Sequence, residues 1–307
     1  LDGADVVVHG LGELKLLSDR PRPLSELGSA LEAVEVLQVI ASCVPRTVFF
    51  LDYDGTLTPI VERPELATLD QARRDTLAGL VERHAVAVVS GRGLDDVRSL
   101  VGLDGLFYAG SHGLEVAGPE GEHISLEHGR EYESRMDELE RDLRRVADEY
   151  EGVIIERKRF SVAVHFRLAS PEAESSIAEA IERVMSKHEG LRKQEGKKVI
   201  EVRPDIDWDK GRAVEWLLNT LGIDTSRSLV IYIGDDSTDE DAFRALQGRG
   251  LSIVVRDPDP DSGADYKSDT KETFADLAVE NTEEVYAFLQ MFGPEAEESM
   301  GVGGGRG

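Results

Sequence analysis

Asp52 and Asp54 stand one residue apart at the end of an apolar run, V-F-F-L-D-Y-D-G-T-L over residues 48–57. In a strand, alternate residues share a face, so both carboxylates can address one site at the strand's C-terminal end. Gly55 and Thr56 follow, a permissive backbone and a hydroxyl suited to a tight loop whose amides close on an anion. Carboxylates this close repel each other unless a cation lies between them or one keeps its proton. With Mg2+, one carboxylate can attack phosphorus while the other handles protons. A bare Asp pair after a strand is more often a turn former or a helix cap. The chemical reading therefore needs partner groups elsewhere in the chain.

Three further motifs follow in order. Residues 85–92, A-V-A-V-V-S-G-R, form an apolar strand ending in Ser90, Gly91 and Arg92. The hydroxyl and the following amides can hold a phosphate oxygen, and the guanidinium can clamp a phosphate or a sugar hydroxyl. In D-W-D-K-G-R-A, residues 207–213, Lys210 opens an amphipathic helix carrying Ala213, Val214, Trp216, Leu217 and Leu218. A cation in a first turn opposes the helix dipole, a placement that makes sense if it reaches for a phosphate. In V-I-Y-I-G-D-D-S-T-D-E-D-A-F, residues 230–243, a strand again ends in acids, Asp235 and Asp236, hard oxygen ligands suited to Mg2+. Asp239, Glu240 and Asp241 read as a solvated helix start. Ligands of open α/β sheets bind outside the carboxyl ends of the strands, so the four motifs converge on one site.

The string D-Y-D-G-T-L-T-P-I, with the later motifs in this order, resembles the haloacid dehalogenase (HAD) superfamily and, within it, the trehalose-6-phosphate phosphatase family. The resemblance covers roughly residues 46–290. It implies an α/β, HAD-like (Rossmann-type) parallel-sheet core with an inserted α+β cap. It implies Mg2+-dependent hydrolysis of trehalose 6-phosphate to trehalose and phosphate. Under it, Asp52 is the nucleophile that becomes an aspartyl-phosphate, and Asp54 is the general acid and then the base. Ser90 and Lys210 hold phosphoryl oxygens. Mg2+ is held by Asp52, the Asp54 carbonyl and Asp235, with Asp236 close by. Thr56, Gly91 and Arg92 complete the phosphate side, and His112, in Y-A-G-S-H-G-L-E-V, lines the pocket. The stretch G-K-K-x-x-E-V-R-P resembles the family's cap, where Lys197 and Glu201 would grip sugar hydroxyls. On one strand face Lys197 and Glu201 lie together, with Lys198, Ile200 and Val202 opposite. Glu195, His165 and Arg167 join them as cap candidates. Two alternatives stay open: a phosphatase of another sugar phosphate, and a catalytically silent regulatory domain of a multidomain protein.

These residues must be positioned by an alternating strand–helix chain. Residues 47–115 alternate in that way, a βαβ pattern and hence a parallel sheet. Residues 26–44 have helical periodicity (Leu27, Leu31, Val34, Leu37), with Ser25 as cap. From Gly118 the pattern changes: a charged helix over 130–150, strands over 152–157 and 160–168, a helix over 171–188 and two strands over 191–203. That succession describes an α+β insert. The expected organisation is an N-terminal segment (1–45), a core (46–117 and 205–292), a cap (118–204) and a flexible tail (293–307). Residues 1–20 begin without Met and resemble the last strand and tail of a preceding domain of the same superfamily, which leaves two readings open: the remnant of a fusion to, or an association with, another trehalose-metabolism or HAD domain, or simply an added edge.

Composition sets outer limits. The 307 residues, 40% hydrophobic, suffice for a sizeable core in two lobes. A net charge of −26 disfavours nucleic acid and anionic membrane as partners. It also requires the phosphate pocket to be made locally positive by Mg2+, Lys210 and Arg92. The single cysteine, Cys43, excludes an internal disulfide and fits a cytoplasmic protein.

Overall fold

The computed structural model describes residues 21–61, 63–120, 123–124, 133–196, 198–206, 208–256 and 272–294. Their contacts divide into two units, one running up to His123 and resuming at Asp209, the other spanning Ile124–Trp208.

The first unit is built on a nine-stranded sheet. In spatial order its strands are Gly28–Ser29, Leu277–Val279, Leu251–Val255, Ser228–Gly234, Arg46–Leu51, Ala85–Val89, Phe107–Gly110, Glu115–Ala117 and His123–Ile124. From Gly28–Ser29 to Phe107–Gly110 every pairing is parallel; Glu115–Ala117 turns back antiparallel. The central strands are apolar without alternation, as a sheet covered on both faces requires. Val48, Phe49, Phe50 and Leu51 are all buried, and every residue of Ser228–Gly234 is buried.

Register aligns the motifs. Leu51 pairs with Ile233 on one side and with Val88 on the other. The residues that follow, Asp52, Asp235 and Ser90, therefore emerge at the same edge of three adjacent strands. The ladder continues through Asp52 and Ser90, since the Asp52 amide donates to Ile233 O (2.9 Å) and the Ser90 amide to Ala109 O (2.8 Å).

The first long helix is Ala30–Cys43, and its cap is Ser29, whose Oγ accepts from the Leu31 amide at 3.2 Å. Ser25, expected in that role, lies instead in a short 3₁₀ turn, Leu24–Glu26. Pairing of Gly28–Ser29 with Leu277–Ala278 holds the backbone extended and delays the helix start. Cys43 ends this helix, exposed. Residues 1–20 and 295–307 lie outside the described residues, and with them the expected end of a preceding domain and most of the tail.

Among its described residues, the second unit has a four-stranded antiparallel sheet and two α-helices. The sheet order is Leu191–Gly196, Val199–Pro204, Ser161–His165, Ile154–Lys158. The helices are Glu133–Glu149 and Glu174–Met185. Met136, Leu139 and Leu143 from one and Ile177 and Ile181 from the other pack on Val162, Val164, Ile200 and Val202. The period of 3.6 on the helices and of 2 on the strands thus meets in one apolar layer.

Candidate active site

The D-x-D alternation is observed directly. Asp52 is 4% exposed. Tyr53 turns into the core, its hydroxyl donating to Ala67 O at 2.6 Å. Asp54 returns toward solvent, its side chain 41% exposed. Gly55 then takes φ +88°, a left-handed conformation that disfavours any side chain. A Cβ there would also fall 2.2 Å from Asp235 Oδ2. Thr56 is fully buried and donates from Oγ1 to Asp235 Oδ1 at 3.3 Å, so it ties the first motif to the fourth.

Lys210 opens the helix Lys210–Thr220 because Asp209 caps it, accepting from the Arg212 amide at 2.8 Å. The following residue, Gly211, permits close helix–helix approach: a Cβ there would lie 2.4 Å from Asp241 O. The Lys210 side chain is 2% exposed and donates to Asp52 Oδ1 (2.6 Å) and Asp239 Oδ1 (2.7 Å), with Asp236 Oδ1 at 4.0 Å. Burial works against its charge, but Asp239 and Asp52 outweigh burial and hold its pKa well above the ordinary lysine value.

Asp239 corrects the sequence reading. It is no part of a solvated helix start but fully buried, accepting from Lys210, from the Tyr232 hydroxyl (2.6 Å) and from the amides of Asp235 (3.0 Å) and Asp236 (3.1 Å). An acid in the first turn of a helix is favoured there in any case, so its type and place carried no signal of burial. Asp236, expected beside the metal, spends Oδ1 on the next turn, accepting from the Thr238 amide and hydroxyl (both 2.7 Å) and the Asp239 amide (3.2 Å). Although burial opposes it, Lys210 and the Thr238 bonds bring the Asp236 pKa to about 2.

The carboxylates fit a metal. Asp52, Asp235 and Asp239 are buried and bring ligand oxygens within 4.8 Å of one another. Burial raises all three pKa values, and for Asp235 the charges of Asp52 and Asp239 add to it. One ammonium does not balance these acids, and a divalent cation on hard oxygen donors would.

This charge excess makes a pH prediction. A carboxyl whose folded pKa is raised takes up protons more readily folded than unfolded, so its contribution to stability declines as pH rises from the ordinary 3.8 through the raised value. Asp236 acts oppositely, but only between 3.8 and about 2. The metal-free protein should therefore gain thermal midpoint as pH falls from 7 toward the ordinary carboxylate range, and saturating Mg2+ should flatten that slope. Relief of the overall −26 charge acts in the same direction, so the comparison is made at constant ionic strength. Identical slopes with and without Mg2+ would refute it.

On the second motif, Arg92 is committed to protein. It grips Asp54 by two bonds (Nε to Oδ2 2.7 Å, Nη2 to Oδ1 2.6 Å) and also donates to Asp96 (3.0 Å) and Pro64 O (3.0 Å). In this arrangement its donors orient Asp54 rather than reach for a phosphate or a sugar hydroxyl. Ser90 is 1% exposed, and its Oγ accepts from the Arg92 amide at 3.1 Å. Gly91 touches His112: a Cβ on Gly91 would lie 2.8 Å from its Cε1. His112 therefore stands beside the Ser90–Arg92 loop, with left-handed backbone at both Ser111 (φ +52°) and His112 (φ +56°). Such strained non-glycine residues collect at functional sites.

In the second unit, Glu201 is half-buried and accepts from Ser161 Oγ (2.6 Å) and Lys158 Nζ (3.2 Å). Lys197 and the Glu195 side chain lie outside the described residues. Lys198 takes φ +65° and pairs with Glu174. The strand that carries Glu201 begins at Val199. His165 bonds Glu156 (2.8 Å), and Arg167 is exposed beyond the strand end at His165.

The family model described as trehalose-phosphatase matches residues 50–276. A trehalose-phosphate phosphatase of Mycobacterium tuberculosis is 42% identical over 259 residues, which are 84% of this chain and 65% of that protein. An uncharacterized glycosyl hydrolase of the same species is 42% identical over 257 residues, 83% of this chain but 19% of that much longer protein. Among solved structures, a trehalose-6-phosphate phosphatase related protein superposes with a TM-score of 0.67 at 26% identity, over 83% of this chain and 99% of that one. The chain thus spans about two thirds or less of the curated relatives it matches.

Proposed function

This chain belongs to the trehalose-phosphatase family, and from that premise we propose that it hydrolyses trehalose 6-phosphate to trehalose and inorganic phosphate. The observation that carries the reading is the buried Asp52 carboxylate, 2.6 Å from the Lys210 ammonium and two residues before an Asp54 held by Arg92. An Asp52 oxygen attacks phosphorus while the bond from phosphorus to the sugar oxygen breaks. Asp54 gives that oxygen its proton. Water then attacks the phosphorus of the aspartyl-phosphate, Asp54 takes the water's proton, and phosphate leaves with Asp52 restored. Lys210 and Ser90 hold phosphoryl oxygens, and Arg92 keeps the Asp54 carboxylate aimed. Asp52, Asp235 and the Asp54 carbonyl would hold Mg2+, with Asp239 beside them. The ion when bound neutralises charge on the phosphoryl group, the main demand of this chemistry.

Among the described residues no helix is long and apolar enough to cross a membrane. A sugar phosphate substrate and a single cysteine suit the cytoplasm.

The test is phosphate release from trehalose 6-phosphate, sucrose 6-phosphate, glucose 6-phosphate and p-nitrophenyl phosphate, each with and without Mg2+. Mg2+-dependent preference for trehalose 6-phosphate is expected. Preference for another ester would reassign the substrate, and no release from any would mark a silent domain. Sugar recognition falls to Glu201 and Lys197. Glu201→Ala should lower kcat/KM on trehalose 6-phosphate about 10–100-fold, the scale of a lost charged hydrogen bond, and leave p-nitrophenyl phosphate nearly unchanged. Equal losses on both substrates would remove Glu201 from sugar recognition.

A further inference from the structure

We propose that Tyr232 is a positioning residue for Lys210, acting through Asp239; the inference rests on the phosphatase reading above. Tyr232 lies in the buried strand Ser228–Gly234, between Ile231 and Ile233, and is fully buried. Phenylalanine would fill the same space, and burying a hydroxyl is costly unless it is hydrogen-bonded. The Tyr232 hydroxyl donates to Asp239 Oδ1 at 2.6 Å. That same oxygen accepts from Lys210 Nζ at 2.7 Å.

The two oxygens of Asp239 have different work. Oδ2 is fixed by backbone, accepting from the amides of Asp235 and Asp236. Oδ1 is shared between a neutral donor and a cation. The ammonium is in turn shared between Asp239 Oδ1 and Asp52 Oδ1, at 2.7 and 2.6 Å. Its place is therefore a balance of two attractions. The phenol satisfies part of Asp239 Oδ1 and leaves the ammonium free to lean on the nucleophile. Without the phenol, Asp239 competes harder, and Lys210 is drawn away from Asp52.

The phenol can fix this balance because its ring is held. It stacks on Phe50, its partner across the parallel ladder, with centroids 6.5 Å apart at 16°. Phe243, from the helix Asp239–Leu246, meets it edge-on at 5.7 Å and 83°. Strand, neighbouring strand and helix together set the direction of one hydroxyl.

The experiment compares Tyr232→Phe, Asp239→Asn and the double variant with the parent enzyme, with p-nitrophenyl phosphate as substrate so that the identity of the sugar does not enter. Tyr232→Phe should lower kcat about tenfold, the scale of one hydrogen bond to a charged group, with KM within a factor of two and an intact near-UV circular dichroism spectrum. In the Asp239→Asn background the same change should cost nothing further, because its route to Lys210 is already cut. A purely packing role predicts the same loss in both backgrounds, and that result, or an unchanged kcat in the single variant, overturns the proposal. A crystal structure of Tyr232→Phe gives a readout independent of turnover: Lys210 Nζ displaced from Asp52 supports the proposal, and an unmoved ammonium refutes it. If the parent releases no phosphate from any ester, the phosphatase reading fails by itself, and this structural readout alone decides whether Tyr232 positions Lys210.

Discussion

Asp52→Asn should abolish phosphate release, with a loss of at least about 10⁴-fold, while the thermal midpoint stays level or rises. An amide cannot form the acyl phosphate, so the two-step route closes, and losses of this size accompany removal of a nucleophile elsewhere. The stability half of the prediction comes from the geometry. Burial and the neighbouring Asp239 and Asp236 charges act against the Asp52 charge, and Lys210 acts for it. Replacing the carboxylate by an amide of nearly the same shape removes one of several crowded negative charges, and Lys210 keeps its bond to Asp239. The measurement is released phosphate at saturating trehalose 6-phosphate and Mg2+, beside a thermal melt of the same preparation. Turnover near the parent level would remove Asp52 as nucleophile. Lost turnover with a collapsed melt would make the residue structural.

What the residues of this chain disclose in advance follows a physical divide. Apolar runs that end in Asp52, Ser90 and Asp235 are legible because a strand covered on both faces has no polar residue to spare until it leaves the sheet. Parallel register does the rest, setting the three ends side by side. Lys210 is legible for the opposite reason, a cation where the helix dipole disfavours it. Asp239 is not legible by the same logic, because an acid in the first turn of a helix is favoured there whether or not it does anything else. Only the fold shows that it is buried on Lys210 and Tyr232. Arg92 is a second case. Its type and place fit a phosphate clamp, but which anion a guanidinium takes depends on which carboxylates lie within reach, here Asp54 and Asp96. Ser25 and Ser29 are both competent caps, and the choice between them was made by a strand partner, Leu277–Ala278, some 250 residues away in the chain.

Lys210→Met should damage stability and turnover together, and a second substitution should separate them. The ammonium is 2% exposed and lies 2.6 Å from Asp52, 2.7 Å from Asp239 and 4.0 Å from Asp236. Removing one partner of a buried ion pair strands the other, at a cost of about 3–5 kcal/mol. At the usual unfolding entropy per residue each kcal/mol shifts the midpoint of a chain this long by about 1.5 °C, so a fall of about 5–8 °C is expected in the presence of a chelator. Saturating Mg2+ should return part of it, because the same stranded oxygens are the ones that suit the ion. Turnover should fall by at least about 10³-fold even with Mg2+, since a positioned charge on the transferring phosphoryl group is lost. Lys210→Arg is no substitute, for a planar guanidinium does not fit a site shaped around a compact ammonium. The double variant Lys210→Met with Asp239→Asn then has one fewer uncompensated carboxylate. Its midpoint should climb back toward the parent, while its turnover should not. A double variant that recovered both would mean that Lys210 serves the fold alone; one that recovered neither would mean that Asp239 is not the charge Lys210 is there to balance.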